Sequence, residues 1–339
     1  MKKIRIGING FGRIGRLASR IILERSNLEI SAINSPAEAS SHAYLLKYDS
    51  IYGTLKNDIK ALKNKLHVDN NQISIYQELH PNDIPWDKTR TDMVIDSSGK
   101  FRTSNDLSGH LKSGTKYVVL SSPAKDDTKT IVLGVNENDF HPLRDKIISN
   151  SSCTTNCLAN IVNVVIGRYG IVRAFMTTTH AVTDTQNLLD NSHKKEIRLR
   201  RGAYLSLIPS STGSAKDIVK LFPQLLDKIV CQALRVPLAT VSLVNLTCQL
   251  EKSASVDDLN QIFTKAATGS LKGILAVSAD ELVSSDYIGS PFSAIVDPFL
   301  TAVLNGTMAN IYAWYDNEWG YANRLIDLCE FIGRRNKLI

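Results

Sequence analysis

"KIRIGINGFGRIGRLASRIILERSNLEISAIN" (Lys3–Asn34) decides how the first half of this chain is read. "KIRIGIN" is a short apolar run of the kind that forms a buried strand. "RIGRLASRIILERS" then changes to helical spacing, with Ile14, Leu17, Ala18, Ile21 and Ile22 on one face. "LEISAIN" is a second strand. Between the first strand and the helix lies "GFGRIG" (Gly10–Gly15), a GxGxxG pattern. On its own the pattern is weak, and a tight turn without a ligand is the other reading. Placed after a strand and at the start of a helix, it is a dinucleotide fingerprint. Gly10 permits the tight turn, Gly12 lets backbone approach a pyrophosphate, and Gly15 lets helix and strand pack closely. The helix N-terminus then offers free N–H groups and its dipole to phosphate charge. At the end of the second strand a carboxylate would hold the ribose hydroxyls and repel a 2′-phosphate. This chain has Ser35 there. Either Asn34 or Glu38 holds the ribose, or the site tolerates or prefers NADP.

Outward from this unit, "DMVIDSSG", "KYVVLSSP", "TIVLGVN" and "KIISN" are further β-rich runs ended by turn formers. Strands alternating with helical patterns predict a parallel, doubly wound sheet to about Asn150. Beyond it the pattern changes. "SCTTNCLANIVNVVIGRYG" is a strong helix candidate. "VRAFMTTTHAV", "KIVCQALRVP", "TVSLVNLTCQLE" and "MANIYAWYDNE" alternate as in an antiparallel or mixed sheet. Helices are expected at "GSAKDIVKLFP" and "SVDDLNQIFTKAA". The final amphipathic helix, "WGYANRLIDLCEFIGRR", is expected to pack back on the first domain. The boundaries that follow are residues 1–151 with 316–339 for a dinucleotide-binding domain, and 152–315 for a catalytic α+β domain. Thr183 to Pro209 has little regular pattern, which marks a functional or interfacial loop.

The chain has 339 residues, 43% of them hydrophobic, which suits two domains with sizeable cores. A net charge of +7 permits acidic partners. Lys and Arg are dispersed apart from "KKEIRLRR" (Lys194–Arg201), and an RNP-like aromatic pattern is absent, so small anionic substrates explain the charge without nucleic acid. Five irregularly spaced cysteines read as reduced thiols. Without a CxxC pair, no zinc site is expected. The glycine-broken start is a poor signal peptide, and no run approaches the ~18 apolar residues of a membrane span. A cytoplasmic protein without membrane association is expected.

"SNSSCTTNC" places Cys153 where a strand meets a helix. Free N–H groups and the dipole at a helix N-terminus lower a thiol's pKa, and nucleophilic cysteines are made this way. A buried structural cysteine is the competing reading. Cys157, one turn on, packs inside. A base is then needed. His180 ends "MTTTH" where a strand meets the long loop, but pattern alone does not separate it from His110 or His193.

"INGFGRIGR", "LLKYDS", "SNSSCTTNCLA", "MTTTHAVTDTQ", "IPSSTGSAK", "RVP" and "WYDNEWGYANR" occur in this order. Together they resemble the phosphorylating glyceraldehyde-3-phosphate dehydrogenases over essentially the whole chain. The resemblance implies a Rossmann-type domain joined to a catalytic domain with a mostly antiparallel sheet. It implies Cys153 as nucleophile and His180 as base, acting on a small phosphorylated aldehyde through a hemithioacetal and a thioester. Thr183 and Arg235 would hold the substrate phosphate, with Arg198 near both anion sites. Ser152, Thr154, Thr212 and Gly213 would receive inorganic phosphate as co-substrate. The cofactor, NAD or NADP, would lie on Gly10, Gly12, Arg13, Ile14, Ser35, Ser98, Ser121 and Asn317. The resemblance also implies a homotetramer, with the long loop at a subunit interface.

Three positions depart from the NAD-using members. Those carry Asp where this chain has Ser35, and often Pro where it has Ser192; both changes lean toward NADP. An Arg beside the adenosine is replaced by Leu79, which leans away. Dual use or NADP preference is the expectation. Erythrose-4-phosphate dehydrogenase is the neighbouring alternative, but its members tend to lose the "TG" that "SSTGSAK" retains. A non-catalytic nucleotide-binding protein is the remote one.

Overall fold

The computed structural model describes residues 3–193 and 196–338. It divides into two compact units. The first comprises Met1–Ile131, Glu137–Ser151 and Ala322–Ile339; the second comprises Val132–Asn136 and Ser152–Tyr321.

The first unit is built on β1 (Ile4–Asn9), β2 (Leu28–Asn34), the short ribbon β3 (Tyr48–Asp49) and β4 (Gly53–Thr54), β5 (Ile59–Leu62), β6 (Lys65–Val68), β7 (Asn71–Tyr76), β8 (Met93–Asp96), β9 (Tyr117–Leu120), β10 (Lys129–Thr130) and β11 (Ile147–Ser149). The main sheet runs β10-β11-β9-β8-β1-β2-β7-β6-β5. From β10 to β7 every neighbour is parallel; β7, β6 and β5 form an antiparallel meander at the edge. The helices are α1 (Arg13–Glu24), α2 (Ala39–Lys47) and α3 (Ser104–Lys112). The apolar stripe expected on α1 is the buried one: Leu17, Ala18, Ile21 and Ile22 are inside, with Ile14 half-buried. Strand order reverses between β1 and β8, which places the ligand crevice at the carboxyl ends of β1, β2 and β8.

The second unit holds α4 (Cys153–Tyr169), β12 (Arg173–Ala181), β13 (Ile208–Ser210), α5 (Ser214–Leu221), β14 (Ile229–Val236), β15 (Ser242–Gln249), α6 (Val256–Thr268), β16 (Leu275–Val277), β17 (Ala294–Val296), β18 (Ala302–Leu304) and β19 (Met308–Tyr315). Its sheet runs β13-β14-β12-β15-β19-β17-β16, with β18 also on β19. Pairing is mostly antiparallel, β12–β14 and β16–β17 being the parallel exceptions. Cys157, Leu158, Ile161, Val162 and Val165 turn α4 into the core beneath this sheet. The last helix, α7 (Trp319–Arg335), returns to the first unit from Ala322 onward. There Arg25 pairs with Asp327 at 3.1 Å and Phe331 meets Phe140 edge-on.

Two features correct the sequence reading. Only Thr130 of "TIVLGVN" is in a strand. The chain then turns at once: Val135 and Asn136 donate to the Val132 carbonyl, Val132 N donates to Asn136 Oδ1, and Gly134 has φ +87°. The apolar run fills a buried turn rather than a sheet. The β5–β7 meander, which the sequence pattern does not mark, consists of short, half-exposed strands. The segment after Val182 has the irregularity expected: one turn of 3-10 helix, Arg198–Arg200, precedes β13.

Candidate active site

Cys153 is the first residue of α4. Ser152 is its N-cap, with extended backbone and a hydroxyl that accepts from Thr155 N at 3.1 Å. Ser151, just before, has φ +55°, a left-handed conformation that turns the chain sharply out of β11 into the helix.

Cys153 Sγ lies 3.5 Å from Nε2 of His180. His180 is near the end of β12, and its register partner on parallel β14 is Arg235. Adjacent parallel strands project paired side chains to the same face, so the sheet itself sets the two bases side by side. Arg235 Nη1 is 2.6 Å from His180 Nδ1 and 3.1 Å from the Ala181 carbonyl. That carbonyl is also 2.7 Å from Nδ1. Nδ1 satisfies one of these neighbours at a time: protonated it donates to Ala181 O, bare it accepts from Arg235. The form with Nδ1–H leaves the Nε2 lone pair facing the sulfur. Arg235 Nε is buried with no partner among the described residues, which suits a donor to an anion.

The electrostatics correct one expectation. Burial pushes the Cys153 thiol up from its ordinary value; Arg235, the Thr154 hydroxyl and the N–H groups of Thr154 and Cys153 at the helix start pull it back only in part. The helix N-terminus alone does not produce a resting thiolate. Burial, then Arg235, lowers His180 to about 3, which keeps the imidazole neutral.

Tyr315 lies under this pair. Its hydroxyl sits 2.9 Å from both Thr154 Oγ1 and Thr178 Oγ1, and its ring is edge-on to His180. Asn317 follows it. Ser242 Oγ donates to Asn317 Oδ1 at 2.9 Å and accepts from Ala181 N, so one hydroxyl fixes that amide beside the histidine strand. Neither Tyr315 nor Ser242 was singled out from sequence. Tyr315 stood inside a quoted motif, but nothing in the pattern at Ser242 pointed to it.

The remaining candidates make contacts of their own. The Thr183 hydroxyl contacts Gln186 Oε1. Thr212 Oγ1 takes Ser214 N at the start of α5, and Gly213, the N-cap, has open space where a Cβ would be. Arg198 is exposed and lines a cavity of about 540 Å³ with Glu196, Ser210, Ser211 and Gln232, among others; neither Cys153 nor His180 lines it. His110 is buried in the first unit, and His193 lies on the long loop. Of the three histidines, His180 is the one at the thiol. "KKEIRLRR" is described only from Glu196 onward; Lys194 and Lys195 lie outside the described residues.

In the first unit the fingerprint fits a dinucleotide. Gly10 has φ +93°, and a Cβ there would sit 2.5 Å from Ser98 backbone. At Gly12 a Cβ would meet nothing within 4 Å, which leaves an open approach. The α1 N-terminus has no side-chain cap and no acid in its first turn, which suits a phosphate at the helix start. Arg13 pairs with Asp49 at 2.6 Å. Burial raises Asp49, and Arg13 with the N–H groups of Ile51 and Tyr52 outweighs it, for a net lowering. Ile14 is half-buried in the first turn. Ser35 is buried and donates its N–H to Tyr76 O; Ser121 N donates to Asp96 O.

Residues 4–104 match the family described as glyceraldehyde 3-phosphate dehydrogenase, NAD binding domain, and residues 152–317 match its C-terminal domain. The chain is 44% identical over 333 residues to glyceraldehyde-3-phosphate dehydrogenase 2 of Streptomyces avermitilis, covering 98% of this chain and 99% of that one. It is 42% identical over 332 residues to the Geobacillus stearothermophilus enzyme, with the same coverage. A chloroplastic relative from Arabidopsis thaliana is 43% identical over 97% of this chain and 78% of its own length. The chain belongs to the glyceraldehyde-3-phosphate dehydrogenase family. It is an NAD(P)-dependent oxidoreductase. Among the described residues of this dehydrogenase, no helix is long and apolar enough to cross a membrane, and no cluster of three or more His, Cys, Asp or Glu could hold a metal.

Proposed function

We propose that this dehydrogenase converts D-glyceraldehyde 3-phosphate and inorganic phosphate reversibly to 1,3-bisphosphoglycerate, with Cys153 as nucleophile and His180 as base. The contact of Cys153, His180 and Arg235 carries the reading. The thiol proton passes to Nε2 as sulfur bonds to the aldehyde carbon and the carbonyl pair moves to oxygen. Nε2 returns that proton to the oxygen, which gives the hemithioacetal and leaves Nε2 bare again. His180 then removes the hydroxyl proton as the C–H hydride departs, which leaves a thioester on Cys153. NAD or NADP, held by the Gly10–Gly15 loop, supplies the hydride acceptor. A phosphate oxygen attacks the thioester carbon, the C–S bond breaks, and the acyl phosphate leaves. Arg235 holds the substrate phosphate together with Thr183; Thr212 and Gly213 receive the attacking phosphate. An anion on Arg235 draws the guanidinium off Nδ1, which favours the base-competent imidazole.

We read the cofactor site as accepting both dinucleotides. Ser35 removes the carboxylate that would repel a 2′-phosphate. The loops beside it carry no compensating cation: Gln77 donates to the Pro36 and Ala37 carbonyls, Glu38 and Glu78 are acidic, and Leu79 is 67% exposed. Dual use therefore ranks ahead of strict NADP dependence. The test is kcat/KM for each dinucleotide, with and without inorganic phosphate. An NAD preference above ~100-fold, about 2.7 kcal/mol, rejects dual use. Turnover that ignores phosphate rejects phosphorolysis. Ser35→Asp is expected to reduce NADP use selectively.

A further inference from the structure

The last residues of three neighbouring strands form a buried polar row. Asn34 ends β2, Asn9 ends β1 and Asp96 ends β8; Asn9 is the register partner of both others. Parallel partners face one side of the sheet, so their side chains meet. Asn34 Nδ2 donates to Asn9 Oδ1 at 2.8 Å, and Asn9 Nδ2 donates to Asp96 Oδ2 at 2.7 Å. His110, from α3, places Nε2 3.1 Å from the same Oδ2. Trp86 donates its indole N–H to His110 Nδ1 at 3.0 Å. A ring nitrogen that accepts carries no proton, so Trp86 fixes the proton on Nε2, where it donates to Asp96. Asp96 and His110 side chains are both 0% exposed.

This chain of bonds has one direction, fixed at both ends. At one end Trp86 sets the His110 tautomer. At the other, Glu78 backbone sets the Asn34 amide, donating its N–H to Oδ1 and accepting from Nδ2. Each amide between them has one orientation that satisfies both neighbours. The carboxylate in the middle accepts on both oxygens, because Oδ1 receives Ser98 N and Ser98 Oγ.

The row touches what the dinucleotide site is made from. Ser98 backbone is what a Cβ at Gly10 would strike at 2.5 Å, so the position of Ser98 sets the room at the fingerprint turn. Gly10 N is bonded to Asn34 O. Glu78 lies in the loop that follows β7, beside Ser35. One buried carboxylate thereby governs the loops on both sides of the crevice.

We propose that Asp96 and His110, oriented by Trp86, are positioning residues for the dinucleotide: they preset the carboxyl ends of β1, β2 and β8 and do not touch the reacting atoms. The proposal rests on the Gly10–Gly15 loop being the cofactor site. Asp96→Asn puts an NH2 group or a single acceptor where two acceptors are required, and no flip of Asn9 repairs it without breaking the Asn34–Glu78 pair.

The test compares NAD and ADP-ribose affinity, kcat at saturating dinucleotide and the rate of Cys153 alkylation by iodoacetamide without dinucleotide. Asp96→Asn and His110→Leu are expected to weaken both ligands ~10-fold or more, since displacing a binding group by about 1 Å has effects of this size. They are expected to leave the alkylation rate unchanged and kcat within about threefold. His110→Gln, which keeps an N–H for Asp96, is expected to recover most of the affinity. Unchanged affinity in both variants overturns the proposal, as does a parallel loss of affinity, kcat and alkylation. If Asp96→Asn does not fold, the His110→Leu and His110→Gln pair decides. Failure of the unaltered enzyme to bind either ligand rejects the cofactor site itself, a different outcome.

Discussion

A half-buried thiol beside a buried neutral imidazole is a poor nucleophile until the proton moves between them. Burial raises the Cys153 thiol above its ordinary value, so at neutral pH little thiolate forms by loss of the proton to solvent. His180, held near 3 by burial and Arg235, is unprotonated throughout the physiological range and available at 3.5 Å. His180→Asn removes this acceptor and leaves only the intrinsic thiol. Because that thiol is raised, alkylation of Cys153 in the variant is expected to be slower at neutral pH and to climb as pH rises into the alkaline range. kcat is expected to fall by ~10²- to 10⁴-fold, the usual value of a positioned base. Iodoacetamide kinetics from pH 6 to 10 check this. A variant profile that overlays the unaltered enzyme removes His180 from the proton path.

At the scale of elements, the fingerprint turn leaves no room for a Cβ at Gly10. Gly10 combines φ +93° with a backbone neighbour 2.5 Å from its missing Cβ. Gly10→Ala adds left-handed strain, on the order of 1–3 kcal/mol, and pushes Ser98 away. Dinucleotide affinity is expected to collapse while Cys153, in the other unit, keeps its alkylation rate; calorimetry and iodoacetamide labelling read the two separately. This turn was legible in the sequence because glycine spacing, strand and helix are contiguous. α4 and its capped cysteine were legible for the same reason. The choice of His180 was legible only through the family resemblance and not through local pattern, since its distance to Cys153 comes from packing and its pairing with Arg235 from the register of β12 on β14. The row from Asn34 to Trp86 was invisible for the same cause: its members are far apart in the chain and meet only across strands. "TIVLGVN" misled because Ile131, Val132 and Leu133 are buried whether the backbone extends or turns, and burial alone was what the pattern reported.

For the whole molecule, the long loop raises the question of what covers it. Leu188, Leu189, Ile197, Tyr204, Leu205 and Leu207 are all exposed in the single chain, Leu205 at 85%. Apolar side chains grouped this densely on one segment mark an interaction surface. We propose that further copies of the same chain cover it, as the resemblance to a homotetrameric family implies. Sedimentation is expected to give about four times the 37.4 kDa chain mass. Leu205→Asp places a charge at the most exposed of these positions. In a lone chain it is nearly neutral, because that side chain already faces water. In an assembly it buries an unpaired carboxylate, which costs several kcal/mol and favours dissociation. The variant is expected to sediment as a smaller species, with an unaltered fold by circular dichroism. A monomer in the unaltered protein at micromolar concentration rejects the assembly. A tetramer indifferent to Leu205→Asp places the interface elsewhere on the chain.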